Sequence, residues 1–316
     1  MSTSARSSVA LPEAVRTRGV RRARRVRIDL LPYLLVAPAI LIVALVALYP
    51  ALYALAISTT DANLLRLDSS KAIGLGNYAK AWDDEIFTVS LWQTLRWVIV
   101  NAGGQLLLAL PVALFLNTAF RGRGLVRAAI LVPWVIPGAV VAIIWRYVVD
   151  ANYGVLNDIL LRLGVIAETI AWIGEPLPSF VVISTATIWA GFPFFAVTLL
   201  AALQVIPEDL YEAARIDGAS TWQRFTSVTV PLLLPTILLL LLLRTIWLAH
   251  SVDLIFLMSN GGPGYNNYTV AVYSFILTWS QLQLGYPSAM VIMLSIVLLI
   301  GSVVYIRSIE RSREWM

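Results

Sequence analysis

Apolar residues along this chain fall neither in the two-residue alternation of a half-buried strand nor in the one-sided stripe of a surface helix. They form six long, nearly continuous runs, at about 30–58, 90–117, 125–149, 178–205, 232–258 and 286–307, parted by short polar stretches. Each run is near or above the roughly 20 residues that a helix needs to cross a hydrocarbon core. The pattern predicts an all-α polytopic membrane protein with about six transmembrane helices. Residues 266–284 are also uncharged, but Asn266, Asn267, Thr269, Gln281 and Gln283 fringe them. A seventh span there would also send the arginine-bearing C-terminus to the opposite side. The stretch is therefore expected to be an outer-face helix or re-entrant segment packed against protein.

One polar interval interrupts this pattern most clearly. Residues 206–231 read as a short helix, a turn and a second helix entry. Pro207 suits a first helical position, Glu208 and Asp209 complement the positive end of the dipole, and Gly218 can take the positive φ that stops a helix. Ser220 and Gln223 have capping-box spacing, and Pro231 marks entry into the next apolar run.

Composition agrees with the pattern. The 316 residues are 59% hydrophobic and 13% charged, with a mean hydropathy of +0.81, too apolar for a soluble domain and too long for a single anchor. With no cysteine, disulfides and thiol catalysis are excluded and the redox compartment is undetermined. The net charge of +5 does not point to nucleic acid, because the basic residues border the apolar runs. Eight arginines precede residue 29, and Arg121, Arg123, Arg127, Arg215, Arg224, Arg307, Arg311 and Arg313 fall on the same side of a six-span chain. Only Arg66, Lys71, Lys80 and Arg162 fall on the other. That bias places both termini and the 206–231 loop in the cytoplasm, with basic flanks meeting anionic membrane lipid. The organisation expected is a basic cytoplasmic tail at 1–29, a membrane domain at 30–308 and a cytoplasmic tail at 309–316. Ala54-Leu-Ala56 mimics a signal-peptidase site, but the first run is about twice the length of a signal core and is read as an uncut span.

Catalytic chemistry has no foothold. The only lysines, Lys71 and Lys80, follow Ser70 and Ala79 and end no phosphate-binding loop. Gly74-Leu-Gly76-Asn-Tyr-Ala79 fits the loose dinucleotide pattern without a strand and helix to frame it. One histidine and no cysteine leave neither a zinc site nor a hydrolytic triad. No catalytic residue, metal or cofactor is expected on this chain.

Charges within spans are the default functional candidates. Arg146 lies near a helix end and is expected to snorkel; Arg96 is divided between packing and lining a path. Arg244 sits deep in the fifth run and must face protein or water. His250 and Asp253, three residues apart, would share one helical face and form a pair, either as a buried lock or as part of a path. Trp189, Phe192, Phe194 and Phe195 in the fourth run and Trp247 in the fifth offer ring faces on which a ligand could stack, though any one of them is more often packing.

The 206–231 interval carries a resemblance. Glu212-Ala213-Ala214, three residues, Gly218, nine residues, Val228, one residue, Val230-Pro231 is similar to the signature of membrane-spanning permease subunits of bacterial binding-protein-dependent ATP-binding-cassette importers, with two aliphatic exchanges. Gly74-Leu-Gly-Asn-Tyr78, the Arg127–Pro133 segment, Trp145-Arg146, Pro207-Glu-Asp-Leu-Tyr-Glu212 and Asn260-Gly-Gly-Pro-Gly264 resemble the sugar-permease branch, of the maltose-type first permease, over residues 30–308. The resemblance implies a coupling helix, with Glu212, Ala213, Ala214, Asp217 and Gly218 docking on a separate ATPase. It also implies that the fifth span helps line a translocation path, which makes Arg244, Trp247, His250 and Asp253 path candidates; Trp189 and Phe192 of the fourth run join them as ring faces that suit a sugar. The implied assembly is a heterodimer with a second permease, two ATPase subunits that bind the ATP, and an extracytoplasmic sugar-binding protein. It would sit in a bacterial plasma membrane and import carbohydrate by alternating access. An ion-coupled secondary transporter is the alternative; it needs ion sites near the midplane and usually an internal repeat, and no clear repeat is present.

Overall fold

The computed structural model describes residues 31–313, with side chains described for 34–307. The 1–29 tail lies outside the described residues. Chain contacts divide the protein into two units, Met1–Pro50 and Ala51–Met316.

The first unit holds α1 (Leu31–Val43), a π-helical turn (Ala44–Leu48) and the first two residues of α2 (Tyr49–Ser58), the rest of which belongs to the second. The second unit contains α3 (Gly76–Asp83), α4 (Glu85–Asn117), α5 (Arg123–Val135), α6 (Gly138–Val148), α7 (Val155–Arg162) and α8 (Pro176–Val205). It continues with α9 (Glu208–Ile216), α10 (Thr221–Arg224), α11 (Val230–Ala249), α12 (Asp253–Ser259), α13 (Val270–Trp279) and α14 (Gly285–Arg313). A π-helical turn at Phe225–Thr229 joins α10 to α11. No strand occurs among the described residues.

Five helices are long and apolar enough to span: Leu34–Ser58, Glu85–Asn117, Pro176–Val205, Thr221–Ala249 and Gly285–Arg307. The expected third span is not one helix. It is α5 and α6 meeting at 93°, because Ile136, held extended (φ −69°, ψ 128°) ahead of Pro137, cannot continue α5. The chain is thus an all-α polytopic membrane protein, with five continuous candidate spans among the described residues and a sixth if the bent α5–α6 pair is one. The expected fifth run also needs correction. It stops at Ala249, His250 caps it, and α12 begins afresh at Asp253 and packs against α6 and α8. The last helix runs past 308 to Arg313, so the C-terminal tail begins as helix.

Residues 270–279 form a helix of 10 residues, about 15 Å long against a hydrocarbon core of about 30 Å. It does not cross. Val270, Ala271, Val272, Tyr273, Ser274 and Leu277 are buried, in packing against α14 and α4. This is the short, protein-packed segment that its polar fringe predicts.

The two π-helical turns share a register. Each precedes a proline, Pro50 or Pro231, and the residue four back from that proline, Val46 or Ser227, is the third of the widened turn. Proline supplies no N–H to that carbonyl and its ring crowds it, so the turn opens rather than kinking the span.

The core of the second unit is the α4–α8 interface. Ser90, Thr94, Trp97, Asn101, Gln105, Ala109 and Ala113 are all buried along one side of α4, a spacing of three or four residues that keeps them on one face. Asn101 Nδ2 donates to Trp97 O at 2.9 Å and to Ser184 Oγ of α8 at 3.4 Å. Thr94 Oγ1 accepts from Val270 N at 2.9 Å, tying α13 to the same stripe.

At the Glu85 end of α4, Asp84 caps the helix by accepting from Ile86 N (2.8 Å) and Phe87 N (3.2 Å). Its other oxygen accepts from Tyr286 Oη (2.6 Å) and Tyr273 Oη (2.9 Å). Burial acts to raise its pKa, but the bonds from Tyr286, Tyr273 and the two backbone N–H groups outweigh it and hold the carboxyl below the usual carboxylate range. Three helices meet on that one side chain.

Candidate functional site

The 206–231 interval folds as its residues predict, with one shift. Pro207 (φ −60°, ψ 135°) stands just before the helix rather than inside it, and α9 starts at Glu208. Glu208 and Asp209 occupy its first turn and Arg215 its last, which suits the dipole at both ends. Gly218 takes φ +80°. Gly218 N donates to Arg215 O at 3.0 Å and Ala219 N to Ala214 O at 2.9 Å, the paired bonds of a Schellman stop. Ser220 N donates to Gln223 Oε1 at 2.7 Å and Gln223 N to Ser220 Oγ at 3.3 Å, completing the capping box. Tyr211 fixes α9 to the α11 side through Thr229 Oγ1, 3.1 Å away.

Glu212, Ala213, Asp217 and Gly218 are exposed and Ala214 is half-buried. Ile216, at 86% exposure, and Leu210 are apolar and open on the same short helix. Among the described residues nothing covers this face.

The membrane-embedded candidates separate into groups. Arg244 of α11 donates from Nε to Gln105 Oε1 of α4 at 2.7 Å, and Gln105 Nε2 donates to Thr187 O of α8 at 3.2 Å. Gly191 completes the contact: a Cβ there would overlap both the Arg244 guanidinium and the Gln105 carboxamide. Gly191 is the sixteenth of the 30 residues of α8, so the cluster lies near the middle of that span. Among the described residues the only ion pair is Arg162–Asp158; no carboxylate balances Arg244.

Aromatic rings continue from it. The Arg244 guanidinium carbon lies 5.9 Å from the centre of the Trp247 ring. Trp247 lies 5.6 Å from Phe194, which stacks on Trp134 of α5 at 6.0 Å and 26°. Trp134 and Trp247 are about half exposed, so this row presents ring faces at the surface of the unit.

The remaining predicted path residues lie elsewhere. Phe192 is buried in the α4–α8–α11 core with Ala109, Leu199 and Leu233. Trp189 is half-buried against Trp145 of α6, 6.2 Å between rings. His250 and Asp253 do not share a face and form no pair, since α11 ends between them. His250 Nδ1 faces Ile246 O at 3.0 Å and Nε2 faces Ser295 Oγ at 3.5 Å, while Asp253 opens α12 beside Gly138. Arg96 is a packing residue: its guanidinium lies 3.6 Å over the Phe180 ring and donates to Gln93 Oε1 and Asn266 Oδ1. Arg146 reaches Leu257 O at 3.3 Å.

Gln105, Gly191 and Trp134 are the residues that sequence reasoning missed. Asn101 and Gln105, one turn apart inside an apolar run, were the available signal.

The Asn260-Gly-Gly-Pro-Gly264 motif is a compact loop with positive φ at Asn260, Gly261 and Gly264. Asn267 Nδ2 donates to Gly262 O at 2.6 Å and Ser179 Oγ at 2.8 Å, and Asn266 Nδ2 to Pro176 O at 2.5 Å. The loop is thereby laced to the first turn of α8.

Residues 105–313 match the family model described as binding-protein-dependent transport system inner membrane component. The sulfoquinovosyl glycerol transport system permease protein SmoG of Agrobacterium fabrum is 36% identical over 89% of this chain and 91% of its own length. The trehalose/maltose transport system permease protein MalF of Thermococcus litoralis is 34% identical over 88% of this chain and 92% of its own. The fold matches a chain in the crystal structure of a bacterial ABC transporter involved in import of the acidic polysaccharide alginate, with a TM-score of 0.73, 22% identity, and coverage of 90% of this chain and 96% of that one.

Proposed function

The chain belongs to the family of binding-protein-dependent transport system inner membrane components, and from that premise we propose that it forms half of the membrane path of an ATP-driven carbohydrate importer. The relatives named for trehalose/maltose and for sulfoquinovosyl glycerol favour a sugar or sugar conjugate as cargo. The observation that carries the reading is the Arg244 cluster. A guanidinium has five N–H donors, and among the described residues only one is bound, to Gln105. The others are free to meet hydroxyl oxygens, while Trp247, Phe194 and Trp134 offer faces to the apolar side of a sugar ring. A charge near mid-span costs about 3 kcal/mol on an insertion scale, so a polar, water-accessible path is its natural surrounding.

Force reaches this path through α9. The exposed Glu212, Ala213, Asp217 and Gly218, with Ala214 behind them, dock on a separate ATPase subunit that binds ATP. Small residues allow close approach, and the carboxylates meet cations or helix N-termini. The assembly comprises a second permease, two such ATPases and an extracytoplasmic binding protein, and works by alternating access. The termini and α9 are cytoplasmic, and α13 with the Asn260–Gly264 loop faces outward.

The test is reconstitution. The chain is co-expressed with the permease and ATPase of its gene neighbourhood, placed in liposomes with the binding protein, and assayed for uptake of labelled trehalose and maltose. Arg244→Gln is expected to reduce uptake while the complex still assembles and hydrolyses ATP. Loss of assembly with unchanged uptake per complex would make Arg244 a structural anchor only.

A further inference from the structure

A polar cavity lies at the C-terminal end of α6. It is about 400 Å3 and lined by Ile143, Arg146, Tyr147, Asp150 and Tyr153. That size falls in the range of small-molecule sites.

The loop on one side of it is densely hydrogen-bonded. Asp150 Oδ1 accepts from Asn152 N at 2.8 Å and Tyr153 N at 3.2 Å. Those bonds, the backbone of Asn152 first, hold its carboxyl below the usual carboxylate range, with Arg146 adding to the effect. Gly154 N closes back on Asp150 O at 3.0 Å, and a Cβ at Gly154 would strike the backbone of Asp150 and Val148. Beneath the loop the buried Asn157 donates to the carbonyls of Asp150 (3.4 Å), Ala151 (3.4 Å) and Ile170 (3.0 Å). Its Oδ1 accepts from Ile170 N at 3.2 Å and Trp172 Nε1 at 2.9 Å. Arg146 is steadied by Leu257 O. Such backing fixes the Asp150 carboxylate and the loop that carries Tyr153 before any ligand arrives.

The lining has the chemistry of a saccharide site. Tyr147 and Tyr153, with ring centres 6.1 Å apart and tilted by 41°, present two ring faces that are both largely exposed. A guanidinium and a carboxylate stand beside them, one supplying donors and the other an acceptor, which is what neighbouring hydroxyls on a ring require. Because Asp150 offsets Arg146, the cavity carries no net charge and gives an anionic ligand no advantage over a neutral one.

We propose that this cavity is a second carbohydrate subsite, taking a neutral sugar unit at the outer mouth of the path before it reaches the Arg244 cluster. The proposal rests on the importer reading for its placement on the outer side.

The experiment uses the assembled complex in nanodiscs, without binding protein, and saturation-transfer NMR with trehalose and glucuronate as probes. Uptake in liposomes is scored in parallel. Transfer to trehalose is expected in the wild type and should fall about fivefold in Tyr147→Ala/Tyr153→Ala, the loss expected for ring contacts of this kind. Tyr147→Phe, which keeps the ring, should retain it, and that variant also controls for folding. Asp150→Asn should shift preference toward glucuronate. Equal trehalose signals in the wild type and the double variant, or a wild-type preference for glucuronate, overturn the subsite while leaving the importer reading intact if uptake persists. A wild-type complex that neither takes up nor contacts a neutral sugar overturns both.

Discussion

Arg244 and Gln105 are 139 residues apart in sequence and 2.7 Å apart in space, and the bond between them joins the fifth span to the second near the middle of α8. A hydrogen bond to a charged group contributes about 1.5–3 kcal/mol. Gln105→Leu should therefore leave the Arg244 Nε–H without its acceptor and lower the melting temperature of the purified complex. In a double-mutant cycle with Arg244→Gln, the coupling should be at least ~1 kcal/mol. Additive losses would show that the two side chains do not act together.

Gly191→Ala is the companion change. The added methyl points into both partners of that bond, and a helix-interior alanine otherwise favours stability by up to ~1 kcal/mol over glycine. The expected outcome is the reverse of propensity: a lower melting temperature and slower uptake. A stabilised, fully active Gly191→Ala complex would mean that the cluster has room to yield.

The 206–231 interval was legible almost to the residue because its signals are local: a glycine stop, a capping box, acids at a helix start. The membrane interior was less so. Pro137 breaks a span, yet Pro111, Pro133, Pro193 and Pro235 sit inside helices, so proline alone does not announce a break. The end of α11 at Ala249 carries neither glycine nor proline, only the polar pair His250-Ser251, and hydropathy runs across it. Gln105 acquires its meaning only from α8 and α11, which no local pattern reports. Phe192 and Trp189 looked like Phe194 in sequence; only their neighbours tell core from row.

Gly218 isolates backbone strain from crowding. No atom lies within 4 Å of where its Cβ would be, but its φ is +80°, and an L side chain in that region costs about 1–2 kcal/mol. Asparagine tolerates it better than a β-branched residue. Gly218→Asn should keep most sugar-stimulated ATP hydrolysis, whereas Gly218→Val should lose stimulation or assembly. Normal stimulation in Gly218→Val would remove the turn from the coupling route.

Asp84 sets a pH dependence. Its folded pKa is depressed, so its contribution is present above the unfolded value of about 3.9 and is lost as pH falls through the lower folded value. The melting temperature should thus be insensitive to this group from neutral pH down to about 4 and fall below that. Asp84→Ala should remove the cap and both tyrosine bonds, a loss of about 1–3 kcal/mol, and flatten the acid limb. An unchanged acid limb in that variant would place the titration elsewhere.

Topology is open to a direct chemical test, because the chain has no cysteine to give background. Single cysteines at Ser69 and Tyr265 are expected to react with a membrane-impermeant maleimide added to intact spheroplasts, and cysteines at Thr118 and Ser220 only after lysis. All four positions are exposed, so failure to label reports side rather than burial. Asn267, though it fringes the same outer stretch, is 3% exposed and holds Ser179 and Gly262; a cysteine there would be silent for structural reasons. Reaction at Ser220 in intact cells would invert the chain. It would put α9 on the face opposite any ATPase and remove the coupling route, whatever the resemblance of its residues.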